Sequence, residues 1–303
     1  MKRNAFTLLE LLIVVAVISL LIAILLPGLS AARAQARSAQ CISQLRTLGQ
    51  GLIMYSHESR DVLVPGRLPR TDDCNWQMSI MGRVKYRPTF LVMMSLQVGI
   101  PPFEDPQPCA SGIDSSGETG ERQNYANRVY VCPEVAEWTD ERNGSYGYNY
   151  QFLGNSRLNA ADKFKNWPVP VTRVRDAART VAAGDGMGTA ASWAPVLRQE
   201  YDNNAKDAVR LGNEGFNLDP PHVDPVNGEM AGFGNAVPYR SAAHDRHRGR
   251  AAMLWVDGHA GTHTLGALGY RPAADGSISF DGDNSLWSLD GRDVPWTPDY
   301  KPQ

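Results

Sequence analysis

The chain has 303 residues, 43% of them hydrophobic, so it can bury one large core or two ordinary ones. Lysine and arginine total 30 against 32 for aspartate and glutamate, a formal net charge of -2. This composition excludes a collagen, a disordered tail and a disulfide-stapled miniprotein. The charge gives no general attraction for phosphate backbones, so we expect no nucleic-acid partner.

The N-terminal segment, residues 6–26, is an almost unbroken apolar run. As an α-helix it reaches about 31 Å, the thickness of the hydrocarbon core of a bilayer. Lys2 and Arg3 precede it, but further arginines follow it, so charge alone decides its orientation poorly. An ionised Glu10 inside hydrocarbon costs about 2.5–3.5 kcal/mol, which disfavours a chance placement and indicates a positively charged partner.

The same run is compatible with an ordinary secretory signal, which is the alternative for this segment. Ala32-Arg33-Ala34 fits a small-x-small cleavage site, and the mature chain would then begin near Gln35. Glu10 argues against a secretory signal because its carboxylate interrupts the apolar region. In addition, the residues after Pro27-Gly28 continue the helix pattern and do not start a domain.

Apolar residues recur every three or four positions beyond this run, which predicts an amphipathic stem helix with one face on a globular partner. Pro27 removes one intrahelical hydrogen bond and is expected to kink or loosen the helix near the membrane exit. The helix is expected to end between His57 and Asp61. The stripe consists of Leu29, Ala32, Ala36, Ala39, Ile42, Leu45, Leu48, Leu52 and Tyr55.

Residues 2–10, Lys-Arg-Asn-Ala-Phe-Thr-Leu-Leu-Glu, resemble the cleavage and methylation signal of type IV pilins and type II secretion pseudopilins. The resemblance implies that a prepilin peptidase cleaves between Ala5 and Phe6 and methylates the new amino group of Phe6. It gives Glu10 a role in subunit assembly, by pairing with the Phe6 amine of a neighbour, and Pro27 occupies a position where pilins commonly carry proline. Ala5 stands where the family usually has glycine.

The resemblance implies an α+β, pilin-like fold, in which a long N-terminal helix packs on a small antiparallel sheet with large loop insertions. The expected organisation is a leader at 1–5, a transmembrane and assembly helix at 6–28, a stem helix at 29–60 and a globular domain at 61–303. The implied function is a non-enzymatic subunit of a type II secretion pseudopilus or a type IV pilus-like filament.

The implied partners are the prepilin peptidase, other pilin or pseudopilin subunits, an inner-membrane assembly platform and membrane lipid. The expected location is the bacterial inner membrane, with a single span and the C-terminal domain in the periplasm or outside the cell. For catalysis, the sequence contains no nucleophile elbow, no phosphate-binding loop and no His-Glu-x-x-His helix.

The clearest signal in the body is a hairpin, in which residues 251–256 and 259–264 flank Asp257-Gly258, a pair favoured in two-residue turns. This turn predicts that Val256 faces His259 across the strand pair. Other expected elements are strands near 129–133, 145–150 and 180–186, a helix or buried strand at 89–96, and loops at 101–127 and 188–239.

His247, nine intervening residues and then Asp257-Gly258 resemble the His-x9-Asp-Gly motif of a bacterial group with prepilin-type N-termini. That group is named for its processing signal and this motif, and it implies a pseudopilin-like fold without an established activity. Its other landmarks are similar to residues 41–48, 131–133 and 145–149, and to Asp185.

Histidines crowd the motif, which makes a transition-metal site conceivable, since imidazole and carboxylate are ordinary ligands of zinc. His259 and His263 lie about 13 Å apart along a strand, too far to share one ion. A site therefore needs His247 or His244 to fold back toward Asp257 or His259. The alternative is a structural role for His247, as a hydrogen-bonding residue near the end of the hairpin.

The C-terminal loop offers oxygen ligands for calcium at Asp281, Asp283, Ser285 and Asp290. The EF-hand pattern fails because its twelfth position is Arg292 rather than glutamate, although major pseudopilins are similar in carrying a C-terminal calcium loop. The alternative is a pair of solvated Asp-Gly turns. We expect no other cofactor.

Cys41, Cys74, Cys109 and Cys132 can form two disulfides in any of three connectivities beyond the membrane. A Cys109–Cys132 bond that closes the polar loop is our first expectation. Cys41 lies on the stem helix and is equally compatible with a free, packed thiol.

Two other classes of function stay open at this stage. One is a secreted or membrane-anchored metal-dependent enzyme. The other is an anchored carbohydrate-binding or adhesive module, which would use exposed tryptophans, although core packing is the commoner use of this residue. The candidates are Trp193, Trp255, Trp287 and Trp296.

Overall fold

The structure is a computed structural model that describes residues 8–68, 77–80, 82–103, 125, 127–135, 145–154, 156–158, 164–165, 169–200, 211–212, 217–223 and 240–295. The helices are α1 (Leu8–Glu58), α2 (Phe90–Gln97) and α3 (Tyr150–Leu153). The strands are β1 (Gln77–Ile80), β2 (Arg83–Tyr86), β3 (Tyr146–Tyr148), β4 (Ser156–Leu158), β5 (Phe164–Lys165), β6 (Val181–Asp185), β7 (Gln199–Glu200), β8 (Leu211–Gly212), β9 (Ala251–Trp255), β10 (Ala260–His263), β11 (Arg271–Pro272) and β12 (Ile278–Ser279). Short 3₁₀ helices lie at Arg128–Tyr130, Val171–Arg173, Gly188–Ser192, Pro195–Leu197 and Gly266–Leu268.

Helix α1 spans 51 residues without interruption and includes Pro27. It ends at Glu58, within the predicted limits. Its N-terminal part is long and apolar enough to cross a membrane, with a mean hydropathy of 3.1 and no buried residue in the most apolar window. The described part of the body therefore leaves this apolar surface uncovered.

The second part of α1 packs on the body through one face, as the periodicity predicts, but only from Cys41 onward. The first part of the predicted stripe, from Leu29 to Ala39, is largely exposed. Small residues allow close contacts farther along: a Cβ at Gly51 would meet the Met94 carbonyl oxygen of α2 at 2.0 Å. The buried face consists of Cys41, Leu45, Leu48, Gly49, Gly51, Leu52 and Ser56.

The central sheet is antiparallel, with the strand order β10-β9-β6-β3. Both β6 and β9 are buried along their whole length, because elements cover both faces of the sheet. One face packs against α1 and α2 around Leu48, Tyr148 and Leu254. The opposite face packs on a C-terminal layer around Trp255 and Trp287.

This arrangement, a long apolar N-terminal helix packed on an antiparallel sheet, confirms the predicted α+β, pilin-like class. The strands expected near 145–150 and 180–186 are β3 and β6, and the segment at 89–96 is helix α2. The strand expected at 129–133 is wrong. The Asn127 side chain accepts a hydrogen bond from the Val129 N–H at 3.0 Å and starts a 3₁₀ helix there instead.

The hairpin exists, but its predicted register is wrong by one residue, since Ala260 pairs with Leu254 and Thr262 with Ala252. The loop has three residues: the Gly258 N–H donates to the Trp255 carbonyl at 2.9 Å, and Gly258 has φ +88. A one-residue shift moves every side chain of one strand to the opposite face relative to its partner strand. His263 therefore shares a face with Trp255, which it contacts edge-on at 5.2 Å between ring centroids.

The loop adopts this longer form because its backbone is bonded to a neighbouring segment. The Val256 N–H donates to Thr180 at 3.0 Å and the Asp257 N–H donates to Ala177 at 3.2 Å. A two-residue turn would withdraw these donors from their partners, and buried backbone groups are rarely left unpaired.

Candidate functional site

The N-terminal signal lies at the start of α1, where Glu10 occupies the first turn. Ala5 and Phe6 lie outside the described residues, so the structure does not place the expected cleavage site. Farther along, Pro27 lies inside the uninterrupted helix, and its carbonyl accepts a hydrogen bond from the Ser30 hydroxyl at 2.9 Å. The kink or loosening expected at Pro27 stays a prediction.

A second candidate site lies inside the body, where four landmarks of the His-x9-Asp-Gly resemblance meet. Cys41 comes from α1, Cys132 from the segment after the 3₁₀ helix at Arg128–Tyr130, Asp185 from the end of β6 and His247 from the segment before β9. All four are buried, and their ligand atoms lie within 4.8 Å of one another. Among the described residues, no other group of three or more such side chains converges in this way.

The contacts within this cluster are polar and close. His247 Nε2 lies 3.0 Å from Asp185 Oδ2 and 3.3 Å from Cys132 Sγ. Cys41 Sγ lies 3.8 Å from Asp185 Oδ1. The Ala252 N–H donates to Asp185 Oδ2 at 2.9 Å, which fixes the carboxylate between β6 and β9.

The acid and the base of the cluster shift each other's pKa. Burial alone would raise the pKa of Asp185, but Arg246 and His247 outweigh it and lower this pKa. Burial alone would lower the pKa of His247, but its hydrogen bonds to Asp185 and Cys132 raise the pKa to about 9. The geometry therefore favours an ionised carboxylate beside an imidazolium.

The pKa values of the two thiols also shift, and they shift in opposite directions. The hydrogen bond with Cys132, followed by burial, raises the pKa of Cys41. For Cys132, burial would raise the pKa, but hydrogen bonds with Cys41 and His247 lower it to about 7. Cys132 is therefore the thiol that deprotonates first.

An outer ring of polar groups holds the cluster in place. The Tyr146 hydroxyl lies 3.3 Å from Cys41 Sγ and donates to the Gln44 amide oxygen at 2.9 Å. The Ser145 hydroxyl accepts from the Cys132 N–H at 2.6 Å. Arg246 places its Nε 3.8 Å from Asp185 Oδ1 and donates to the Gly186 carbonyl.

The other half of the motif, Asp257-Gly258, lies at the opposite end of β9. A Cβ at Gly49 of α1 would meet the Gly258 carbonyl oxygen at 2.7 Å, so the turn lies directly on the helix. Asp257 Oδ1 accepts from the His259 N–H at 3.0 Å. The motif thus marks both ends of β9, one in the buried cluster and one on α1.

The structure does not bring together the histidines of the expected metal site, because β9 separates His247 from the turn. His259 Nδ1 contacts Asp257 Oδ1 at 2.6 Å on the surface. His244 bonds the Asp185 carbonyl at 2.9 Å through its backbone N–H. Cys132 and Asp185, which sequence reasoning did not connect with His247, are the residues that contact it.

The expected calcium ligands are engaged in local contacts. Asp281 accepts from the Ser279 hydroxyl, and Asp283 accepts from the Ser285 N–H at 2.7 Å. Asp290 pairs with Arg292 at 2.6 Å. Calcium binding in this loop stays a prediction.

Of the four cysteines, Cys41 and Cys132 are described, and both are unbridged and buried. Cys74 and Cys109 lie outside the described residues, but the free thiol of Cys132 contradicts the expected Cys109–Cys132 bond, because this sulfur lies in the buried cluster beside His247. Among the suggested sugar-binding tryptophans, Trp287 is buried in the core and Trp255 is 4% exposed. Trp296 lies outside the described residues.

Comparison with known families identifies the N-terminal signal. Residues 1–26 match the family described as the prokaryotic N-terminal methylation motif. The match supports a type IV pilin-like signal on an N-terminal apolar helix, which indicates membrane anchoring, processing by a prepilin peptidase and assembly with other pilin subunits. No curated protein and no solved structure matches the chain.

Proposed function

We propose that the chain is a structural, non-enzymatic subunit of a type II secretion pseudopilus or a type IV pilus-like filament. The observation that carries the proposal is the methylation motif at residues 1–26 joined to a helix whose first part is exposed. Residues 8–29 present large apolar side chains that the described body leaves uncovered. A bilayer before assembly, and neighbouring helices after it, would bury this surface.

Cleavage between Ala5 and Phe6 gives the mature chain an α-amino group at Phe6. In a filament of staggered helices, this amine would lie near Glu10 of an adjacent subunit, so two charges that are costly in an apolar environment would neutralise each other. The pair would set the register between subunits. The exposed small residues of the stem, Ala32, Ala36 and Ala39, would let adjacent helices approach closely.

The body would then lie beyond the membrane, carried on the second part of α1. This orientation follows from cleavage of the leader on the cytoplasmic side, with the single span crossing the inner membrane. The partners proposed are the prepilin peptidase, other pilin or pseudopilin subunits, an assembly platform in the inner membrane, and lipid.

The test is the replacement Glu10→Val, compared with Glu58→Val at the far end of the same helix. We expect Glu10→Val to be inserted and processed as in the wild type, because valine lowers the cost of the membrane segment. It should be lost from the filament fraction by tenfold or more. The Glu58→Val control removes an exposed carboxylate outside the span and should assemble normally. Normal assembly of Glu10→Val would refute the register role.

A further inference from the structure

The buried cluster has the composition of a transition-metal site. It combines two thiols, one imidazole and one carboxylate, which suit zinc and its neighbours better than magnesium or calcium. Its members are 0% exposed except for His247 at 3%. They come from four different segments of the chain, so the fold rather than a local turn brings them together.

The spacing of the ligand atoms agrees with this composition. A tetrahedral zinc site, with Zn–S near 2.3 Å and Zn–N or Zn–O near 2.0–2.1 Å, has ligand-to-ligand distances of roughly 3.3–3.8 Å. The observed separations are 3.0 Å from His247 Nε2 to Asp185 Oδ2, 3.3 Å from His247 Nε2 to Cys132 Sγ and 3.8 Å from Cys41 Sγ to Asp185 Oδ1, and the four ligand atoms all lie within 4.8 Å of one another. We propose that Cys41, Cys132, Asp185 and His247 bind one divalent transition metal, with zinc as the best fit.

The charges around the cluster are consistent with such an ion. Two thiolates and one carboxylate around a divalent cation leave one net negative charge, which is costly to bury without a partner. Arg246 supplies the opposite charge, with its Nε 3.8 Å from Asp185 Oδ1 and its side chain 5% exposed. The ion, its ligands and Arg246 would together carry no net charge.

The outer ring resembles the second shell that orients ligands in metal sites. The Tyr146 hydroxyl is placed to hydrogen-bond the Cys41 sulfur at 3.3 Å, and the Ala252 N–H holds Asp185 at 2.9 Å. The Ala252 N–H can donate to an ionised carboxylate, so Asp185 is oriented before the metal arrives. The Tyr146 hydroxyl donates its proton to Gln44 in this structure, and it would have to turn away from Gln44 to donate to a Cys41 thiolate.

A metal ion at this site would act as a cross-link between the stem helix and the body. Cys41 is the first buried residue of α1, and the other ligands belong to the body, so one ion would tie the stem helix to three segments of the sheet and its connections. The site does not depend on filament assembly and can be tested on the isolated subunit.

The experiment uses the full-length chain with Cys74→Ser and Cys109→Ser, purified in detergent under reducing conditions without chelator. Its metal content is measured after incubation with zinc and removal of excess ion. We expect about one zinc per chain, and Co²⁺ in its place should give the thiolate-to-metal absorption and intense visible bands of a tetrahedral thiolate site. The absence of both signals in folded protein would overturn the proposal.

Ligand variants assign the site. His247→Gln and Cys132→Ser should each weaken zinc binding by at least about tenfold in competition with a chromophoric chelator. His259→Gln, an exposed histidine beside the same hairpin, should bind as tightly as the parent. Because a ligand variant can misfold, circular dichroism accompanies each titration, and the Co²⁺ spectrum of the parent decides the matter without any variant. Equal affinity of His247→Gln and the parent would contradict the assignment.

The competing chemistry is a disulfide between Cys41 and Cys132. Non-reducing digestion of protein purified without reductant would reveal it as one cross-linked peptide pair. A stoichiometric Cys41–Cys132 bond in protein taken from the cell envelope would overturn metal binding there, whereas two alkylatable thiols together with bound zinc would support it.

Discussion

Gly258 in the hairpin turn and Gly49 on α1 form a backbone contact with no room for a side chain between them. A Cβ at Gly49 would lie 2.7 Å from the Gly258 carbonyl oxygen, and a Cβ at Gly258 would lie 2.7 Å from Ile53 Cδ1. Gly258 also has φ +88, in the left-handed region. The glycine of the Asp-Gly pair thus satisfies two requirements, a turn conformation and close packing on the stem.

Gly258→Ala tests this contact. The left-handed conformation costs an L-residue about 1–2 kcal/mol, and moving the flexible end of Ile53 out of its rotamer adds about 0.5–1 kcal/mol. We expect the thermal unfolding midpoint of the full-length chain in detergent to fall accordingly. Gly249→Ala is the matched control, since Gly249 has φ +79 but nothing within 4 Å of the added Cβ. Equal losses in both variants would show that the contact with α1 contributes nothing.

Gly51→Ala probes the contact between α1 and α2. The added Cβ would meet the Met94 carbonyl oxygen at 2.0 Å, so the two helices must separate. We expect a destabilisation of about 3 kcal/mol or more, because backbone cannot yield as a flexible side chain does. Gly28→Ala on the same helix has nothing within 4 Å and should leave stability of the body unchanged. Wild-type stability of Gly51→Ala would contradict the observed helix spacing.

Asn149 joins the sheet to the C-terminal layer. Its amide donates to the Val181 and Trp287 carbonyls, each at 2.9 Å, and the residue is fully buried. Asn149→Leu keeps the branched shape and the number of side-chain heavy atoms but leaves both carbonyls without this donor, at a cost of about 2–4 kcal/mol. Denaturant unfolding measures the loss, with exposed Asn127→Leu as the comparison, for which we expect about 1 kcal/mol from the lost cap. An Asn149→Leu variant less affected than the control would refute this role.

His263 makes stability depend on pH. Burial, followed by Arg250 and His259, lowers its pKa in the folded chain. The unfolded chain therefore takes up a proton that the folded chain resists, and this histidine costs stability as the pH falls below about 6.5. We expect His263→Gln to lose less stability than the wild type between pH 7.5 and pH 5, measured by denaturant unfolding. Parallel losses would indicate that His263 titrates normally in the fold.

The sequence predicted the features that depend on local pattern. The apolar run, the amphipathic stem, β6 and the hairpin all follow from periodicity or turn residues near in the chain. The hairpin register did not, because Thr180 and Ala177 accept hydrogen bonds from the turn and lie about 80 residues away in sequence. Likewise, the strand expected after Asn127 is displaced by a single side-chain cap.

For the candidate site too, the sequence could not predict contacts between residues that lie far apart in the chain. Cys41, Cys132, Asp185 and His247 were each recognised as landmarks of the resemblance, but spacing along the chain cannot show that they meet. The expectation for Cys132 favoured Cys109 because it closes a nearby loop, whereas the structure places Cys41 of α1 beside it. The sequence did carry one signal for this cluster, because four of the landmark residues have side chains that can ligate a metal.

The most direct test of the central claim is intact-mass and N-terminal analysis of the mature protein isolated from membranes. The account predicts a chain that begins at Phe6 and carries one methyl group on its α-amino nitrogen. A mature chain beginning near Gln35, or an uncleaved and unmethylated chain in cells with an active prepilin peptidase, would contradict it.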